Sequence, residues 1–224
     1  MRVLEVEQGS DAWVEARRGV LTASTKGLVV QDKRKTTDTK WRMSTGEGIQ
    51  TIVNTLACEV YSGKVSADAF KGTRWTDRGN EKEEKARTYL AFTYDEPVVE
   101  IGFVLSDCGR YGTSPDGFVR SLRRGVEVKC PSREKHWGYM RSPETLLKEY
   151  RHQVQSGLWN TEWKDWELLS YCPTYPAVSM IVQRDEDYIA ALAEAASYVT
   201  TQVDLSVEYA RTQDNLNADA EVWV

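Results

Sequence analysis

The sequence predicts an α/β layered domain, a central mixed sheet flanked by helices. Two observations lead there. Apolar residues recur at helical spacing as far as about residue 92, at strand-like spacing from Val98 to Cys130, and at both spacings in turn up to about Tyr209. The strand-rich middle also holds the groups best suited to chemistry, Ser114-Pro115-Asp116-Gly117 and Glu127-Val128-Lys129. A length of 224 residues, 41% of them hydrophobic and 28% charged, fits one globular domain over 1–224.

The elements follow in order. Ser10 caps a helix that starts at Asp11 and ends near Gly19. A short helix is expected to begin at Thr22 or Ser24. Residues 31–42 are polar, basic and aperiodic, which predicts a mobile loop. From Ser44 to Tyr61, Ile49, Ile52, Val53, Leu56, Ala57 and Val60 mark one face of an amphipathic helix. A Glu- and Lys-rich helix is expected from Asn80 to Phe92. Strands are predicted at Val98–Leu105, Tyr111–Ser114, Phe118–Leu122 and Gly125–Cys130, joined by tight turns. A helix over Glu144–Thr161, strands at Asp165–Cys172 and Ala177–Gln183, and a helix over Tyr188–Tyr209 complete the chain. Residues 185–224 read as an acidic helix and tail.

Composition excludes several classes. No apolar run approaches the roughly 20 residues that span a bilayer, and the N-terminus has no signal-type apolar core. Cys58, Cys108, Cys130 and Cys172 are scattered without a Cys-x-x-Cys pair, which argues against a zinc or iron–sulfur site and fits reduced cytoplasmic thiols. The net charge of −5 is uneven: Arg110–Arg151 holds ten basic and five acidic residues, hence +5, and the remainder is −10. Such asymmetry can attract a polyanion locally, although two solvated faces would give the same count.

Glu127 and Lys129 share one face of a strand, and Asp116 occupies a turn one hairpin away. Two carboxylates can hold a hard divalent cation, and such a cation can activate water against a phosphodiester. A neighbouring lysine adds positive charge. Glu81, Glu83 and Glu84 on the preceding helix can supply a third carboxylate. Gln153 and Gln155 on the following helix carry amides that can bond the lysine or the water. His136 and His152 have no evident relay partner and read as non-catalytic. Neither a serine nucleophile elbow nor a Walker loop is present.

Five blocks, Val6–Trp13, Arg17–Ser24, Ser114–Gly117, Glu127–Pro131 and Gln153-Val154-Gln155 with Trp159, resemble the phage lambda type 5′→3′ exonuclease, the viral alkaline-exonuclease branch of the PD-(D/E)xK nucleases. The resemblance runs from about residue 6 to about 172 and omits 31–42, Gly63–Thr76 and everything beyond Asp185. It implies a restriction-endonuclease-like core in which Asp116, Glu127 and the backbone carbonyl of Val128 bind Mg²⁺, with Mn²⁺ as a substitute. Lys129 would activate water, Glu83 (with Glu84 one residue away) would be the helical carboxylate, and Gln155 would orient Lys129 or the nucleophile. Arg17, Ser24 and Ser114 would bind the DNA 5′-phosphate. Trp13 reads as a core aromatic of its amphipathic helix, with a groove contact as the alternative, and Trp75 or a neighbour as a wedge at the duplex end. The implied activity is removal of mononucleotides from 5′-phosphorylated ends of linear double-stranded DNA, leaving a 3′ single-stranded overhang. The implied assembly is a homotrimeric ring that works with a single-strand annealing recombinase in the cytoplasm of a bacterial or phage-infected cell. The alternatives are a PD-(D/E)xK endonuclease, restriction-type or RecB-like, and an inactive DNA-binding scaffold.

Overall fold

The computed structural model describes residues 1–25, 27–31, 41–66 and 74–221, with backbone alone for 74–80 and 215–221. The elements are β1 (Arg2–Leu4), α1 (Asp11–Ala16), β2 (Leu21–Thr22), β3 (Val29–Gln31), β4 (Trp41–Met43), α2 (Glu47–Ser62), α3 (Arg74–Tyr94), β5 (Val98–Val99), β6 (Phe103–Leu105), β7 (Tyr111–Thr113), β8 (Gly117–Val119), β9 (Arg124–Lys129), α4 (Arg133–Arg141), α5 (Pro143–Thr161), β10 (Asp165–Ser170), β11 (Val178–Gln183) and α6 (Glu186–Glu221).

The expected central mixed sheet is the five-stranded one, and further strands form sheets beside it. A five-stranded mixed sheet has the order β11-β10-β9-β8-β5, a four-stranded sheet the order β1-β6-β7-β2, and β3 and β4 form a separate ribbon. The run predicted as one strand over Val98–Leu105 breaks between β5 and β6, which join different sheets. The break lies where Gly102 passes against the N-terminal segment: a Cβ there would sit 2.1 Å from the Val6 carbonyl oxygen. The helix expected at Thr22 or Ser24 does not form. Leu21 and Ala23 instead donate their N–H groups to Arg110 and Gly112 carbonyls, which draws the segment into the sheet as β2.

Two further elements escape the periodicity. β1 pairs with β6 across about a hundred residues, and its alternation is too short to register. α4 starts at Ser132, whose hydroxyl accepts from the Lys135 N–H. Of the expected 31–42 loop, Gln31, Trp41 and Arg42 lie in β3 and β4, and 32–40 fall outside the described residues.

The core explains why β9 is rigid. Trp166 on β10 is buried between β9 and α5, and a Cβ added at Gly125 or at Gly157 would lie 2.7 Å from its ring. Only glycine allows the strand and the helix to close on the indole from both sides. Below α2, Ile49, Val53 and Ala57 pack on Leu192, Ala196, Val199 and Val203 of α6, as the i, i+4 spacing requires. Among the described residues no helix is long and apolar enough to cross a membrane.

Candidate active site

β9 runs through the middle of its sheet, paired antiparallel with β8 and parallel with β10. Gly117 stands opposite Val126, and the Asp116 N–H donates to the Val126 carbonyl at 3.0 Å, so the ladder continues into the Ser114–Gly117 turn. That register sets Asp116 beside Glu127 on one face of the sheet. Asp116 Oδ2 accepts from the Val128 N–H at 2.7 Å. Lys129 Nζ donates to Glu127 Oε1 and lies 5.0 Å from the centre of the Tyr150 ring.

The electrostatics show a site short of positive charge. Burial, then the nearby Asp116, pushes the Glu127 carboxyl up to about 8 against the pull of Lys129. Burial and Asp116 likewise raise Glu83 to about 7, and burial raises Asp116. For Lys129, burial acts to lower the pKa, but Glu127 and Asp116 outweigh it and hold the ammonium above the usual lysine range. Held charged in this way, Lys129 offers the site a positive charge and a hydrogen-bond donor. Three desolvated carboxyls that resist ionising together are what a hard divalent cation would relieve.

Among the described residues, no three His, Cys, Asp or Glu side chains converge closely enough to enclose an ion. The available donors are two opposed carboxylates with Glu83 at the rim. The remaining positions would go to a main-chain carbonyl, water and a substrate phosphate, an arrangement suited to a small oxygen-preferring cation such as Mg²⁺.

A cleft of about 450 Å³ opens beside Asp116, lined by Glu83, Arg17, Ser24, Ser114, Trp13 and Gln153 among others. Arg17 caps the end of α1 and lies over the Trp13 ring, 4.0 Å from its centre. Its Nη2 donates to Ser24 Oγ at 3.3 Å. Burial brings its pKa down to about 10, opposed by Glu59, so it stays cationic at neutral pH. Trp13 Nε1 donates to Ser114 Oγ at 2.8 Å. Trp13 is thus a half-buried wall of the cleft, not the core residue expected from its helix. It joins two parts of the chain a hundred residues apart.

The structure therefore brings together Asp116, Glu127, Val128, Lys129, Glu83, Arg17, Ser24 and Ser114. Gln155 is not with them. It is buried on the other face of α5, where its Nε2 donates to the Gln183 carbonyl at 2.9 Å and its Oε1 accepts from the Asp185 N–H. Gln153, two residues earlier and so on the opposite side of the helix, lines the cleft instead. Both Glu83 and Glu84 line the cleft, but Glu84 is exposed, whereas Glu83 is the glutamate whose carboxyl burial and Asp116 push up. His136 is buried between Ser170 and Pro176, and His152 bonds Tyr188; neither lines the cleft. The Trp75 side chain lies outside the described residues.

Two supports went unread in the sequence. Gln8 Nε2 donates to the Pro115 carbonyl at 2.9 Å and to the Ile101 carbonyl at 2.8 Å. Arg87 donates to the Asp116 carbonyl at 3.1 Å while paired to Glu100. Together they hold both carbonyls of the turn that carries Asp116. Arg87 follows Glu83 by one helical turn, a signal that spacing on α3 could have provided.

Residues 12–164 match the model of the YqaJ-like viral recombinase domain. The chain belongs to that family. Family and fold agree: the structure is similar to an alkaline exonuclease (LHK-Exo) from Laribacter hongkongensis, with a TM-score of 0.74 and 23% identity over 92% of this chain and 98% of that one. The same exonuclease in complex with dAMP superposes with a TM-score of 0.73. A phage-related exonuclease from Haemophilus somnus 129PT shares 16% identity over 93% of this chain and 97% of that one, with a TM-score of 0.60. No curated protein sequence matches the chain. This YqaJ-like protein has the PD-(D/E)xK fold, with Glu127 on the central strand of the larger sheet and Asp116 in the turn that leads into β8.

Proposed function

We propose that this YqaJ-like protein is a metal-dependent 5′→3′ exodeoxyribonuclease. It would digest one strand of linear double-stranded DNA from 5′-phosphorylated ends, release mononucleotides and leave a 3′ overhang for annealing. The observation that carries this reading is that Asp116 and Glu83 line the same cleft as Arg17, Ser24 and Ser114, with Glu127 and its partner Lys129 directly beside Asp116 on the sheet. That the Laribacter exonuclease forms a complex with dAMP, a mononucleotide, supports the reading.

Asp116, Glu127 and the Val128 carbonyl would hold the cation, Mg²⁺ or in its place Mn²⁺; when bound it supplies Lewis acidity at the scissile phosphate and a lowered pKa for water. Arg17 offers a planar fork for the two free oxygens of a terminal phosphate, with Ser24 and Ser114 as hydroxyl donors. Lys129, kept charged, donates to the developing negative charge. Glu83, at the rim of the same cleft, accepts the proton of the attacking water. Gln153 takes the orienting role first assigned to Gln155. Binding of each new 5′-phosphate to Arg17 would draw the enzyme one nucleotide onward.

The same resemblance suggests a ring of three copies around DNA, working with a single-strand annealing recombinase. The decisive experiment compares linear duplexes with 5′-phosphate and 5′-hydroxyl ends, and a closed circle, in Mg²⁺ and in chelator. Mononucleotides released from the phosphorylated end alone, and only in metal, are the expected result. Cutting of the circle would replace this reading with an endonuclease, and no cutting of any substrate would leave a binding scaffold. Arg17→Ala should shorten processive runs more than it slows single cuts.

A further inference from the structure

Five of the ten basic residues between Arg110 and Arg151 are used internally: Arg110 pairs with Asp204, Arg124 with Asp165, Lys129 with Glu127, Lys135 with Glu149 and Arg151 with Asp185. The basic segment is therefore not one continuous charged face. Arg133 and Arg141 on α4 make no salt bridge with a carboxylate among the described residues, and both are exposed. They lie at i and i+8, with Trp137 midway at i+4, so the three form one stripe about 12 Å long down the outer face of the helix. Trp137 is 53% exposed, unusual for the largest apolar side chain.

The loop between β10 and β11 meets this stripe. Tyr175 contacts Trp137 edge-on, with ring centres 6.3 Å apart and planes at 82°, which leaves a face of the indole open. Tyr175 is held in place from two sides. Thr174 before it has φ +72°, a left-handed conformation that a β-branched residue adopts only under constraint. Pro176 after it accepts a hydrogen bond at 3.0 Å from Nε2 of the buried His136, whose Nδ1 meets Ser170 Oγ at 2.8 Å. Because a carbonyl only accepts, Nε2 carries the proton. The histidine read as non-catalytic thus anchors the loop to α4. At the other end of the same loop, Tyr171 packs on the exposed Tyr89 of α3, 5.8 Å between ring centres, and its N–H donates to the Lys129 carbonyl. Two aromatic pairs therefore flank the end of the central strand from which Lys129 projects.

We propose that this surface, Trp137 and Tyr175 between Arg133 and Arg141, binds single-stranded DNA by stacking bases on the aromatic rings and pairing phosphates with the arginines. Charge complementarity favours a polyanion, and a rigid exposed indole between two unpaired guanidiniums is the usual composition of a sequence-tolerant single-strand site. The choice of strand rests on the nuclease reading: the surface would take the undigested 3′ tail as the other strand is removed, and so keep it from re-pairing.

The test measures fluorescence anisotropy of labelled oligothymidylate with the full chain in chelator, so that nothing is cut. Trp137→Ala should weaken binding about tenfold, the scale of one stacked base, and Trp137→Phe should restore most of it. Arg133→Ala with Arg141→Ala should weaken binding and flatten its salt dependence. Thermal melting, measured in parallel, should match wild type in all three, so that a loss of binding is not a loss of fold. Equal oligothymidylate binding by wild type and Trp137→Ala overturns the proposal. So does a change in oligomeric mass for Trp137→Ala by light scattering, because the stripe would then be a contact between copies. If wild type degrades no DNA, the nuclease reading fails while the anisotropy comparison still decides the single-strand site.

Discussion

Replacing Glu83 by glutamine tests the electrostatics of the site without relying on catalysis. In the metal-free protein, burial and Asp116 raise the Glu83 carboxyl from 4.5 to about 7. Its folded pKa lies above its unfolded one, so its contribution to stability is complete below about pH 4.5 and is lost as the pH rises through 7. At about 1.4 kcal/mol per pH unit, that displacement is worth about 3 kcal/mol. Screening at the cleft rim reduces this to about 2 kcal/mol. Glutamine has no proton to lose. The stability of Glu83→Gln relative to wild type should therefore improve by about 2 kcal/mol between pH 5 and pH 8.5. Urea denaturation in chelator at both pH values measures it, and differencing against wild type cancels effects common to both proteins. Repeating the series in Mg²⁺ should shrink the improvement, because a bound cation favours the ionised carboxyl. A relative stability equal at the two pH values in chelator would refute the argument that Glu83 is held partly protonated by its neighbours.

Exchanging the two glutamines separates their roles. Gln153→Ala should cut degradation at least tenfold with little change in the urea midpoint, whereas Gln155→Ala should cost about 1–3 kcal/mol by leaving the Gln183 carbonyl and the Asp185 N–H unpaired; the reverse pattern would return the orienting role to Gln155. Trp13→Phe keeps a ring beneath Arg17 but loses the bond to Ser114, so the preference for 5′-phosphate over 5′-hydroxyl ends should fall by about threefold to tenfold, read from kcat/KM on the two substrates. Gly157→Ala should destabilise by about 1–3 kcal/mol, because its Cβ would sit 2.7 Å from Trp166, and thermal melting would show it.

The sequence by itself determined the α/β class, the long helices α2 and α5, the strand that carries Glu127 and Lys129, and the turn that carries Asp116. The reason is local: a period of two on β9 puts Glu127 and Lys129 on one face whatever surrounds them, and a Pro-Asp-Gly turn lies one short hairpin away. Spacing could not say which side of α5 meets the cleft, because both faces of that helix carry an amide and only docking against Trp166 turns Gln153 inward and buries Gln155. Nor could it divide the strands between two sheets, since β1 with β6 and β2 with β7 are pairings between distant segments of two or three residues. Trp13 looked like core for the same reason: its partner Ser114 lies about a hundred residues away, and tertiary packing turned an apolar helix position into a wall of the cleft. The charge distribution was misleading in a different way. Counting along the chain gave a basic segment, but side chains pair through space, and half of that charge is spent on Asp204, Asp165, Glu127, Glu149 and Asp185.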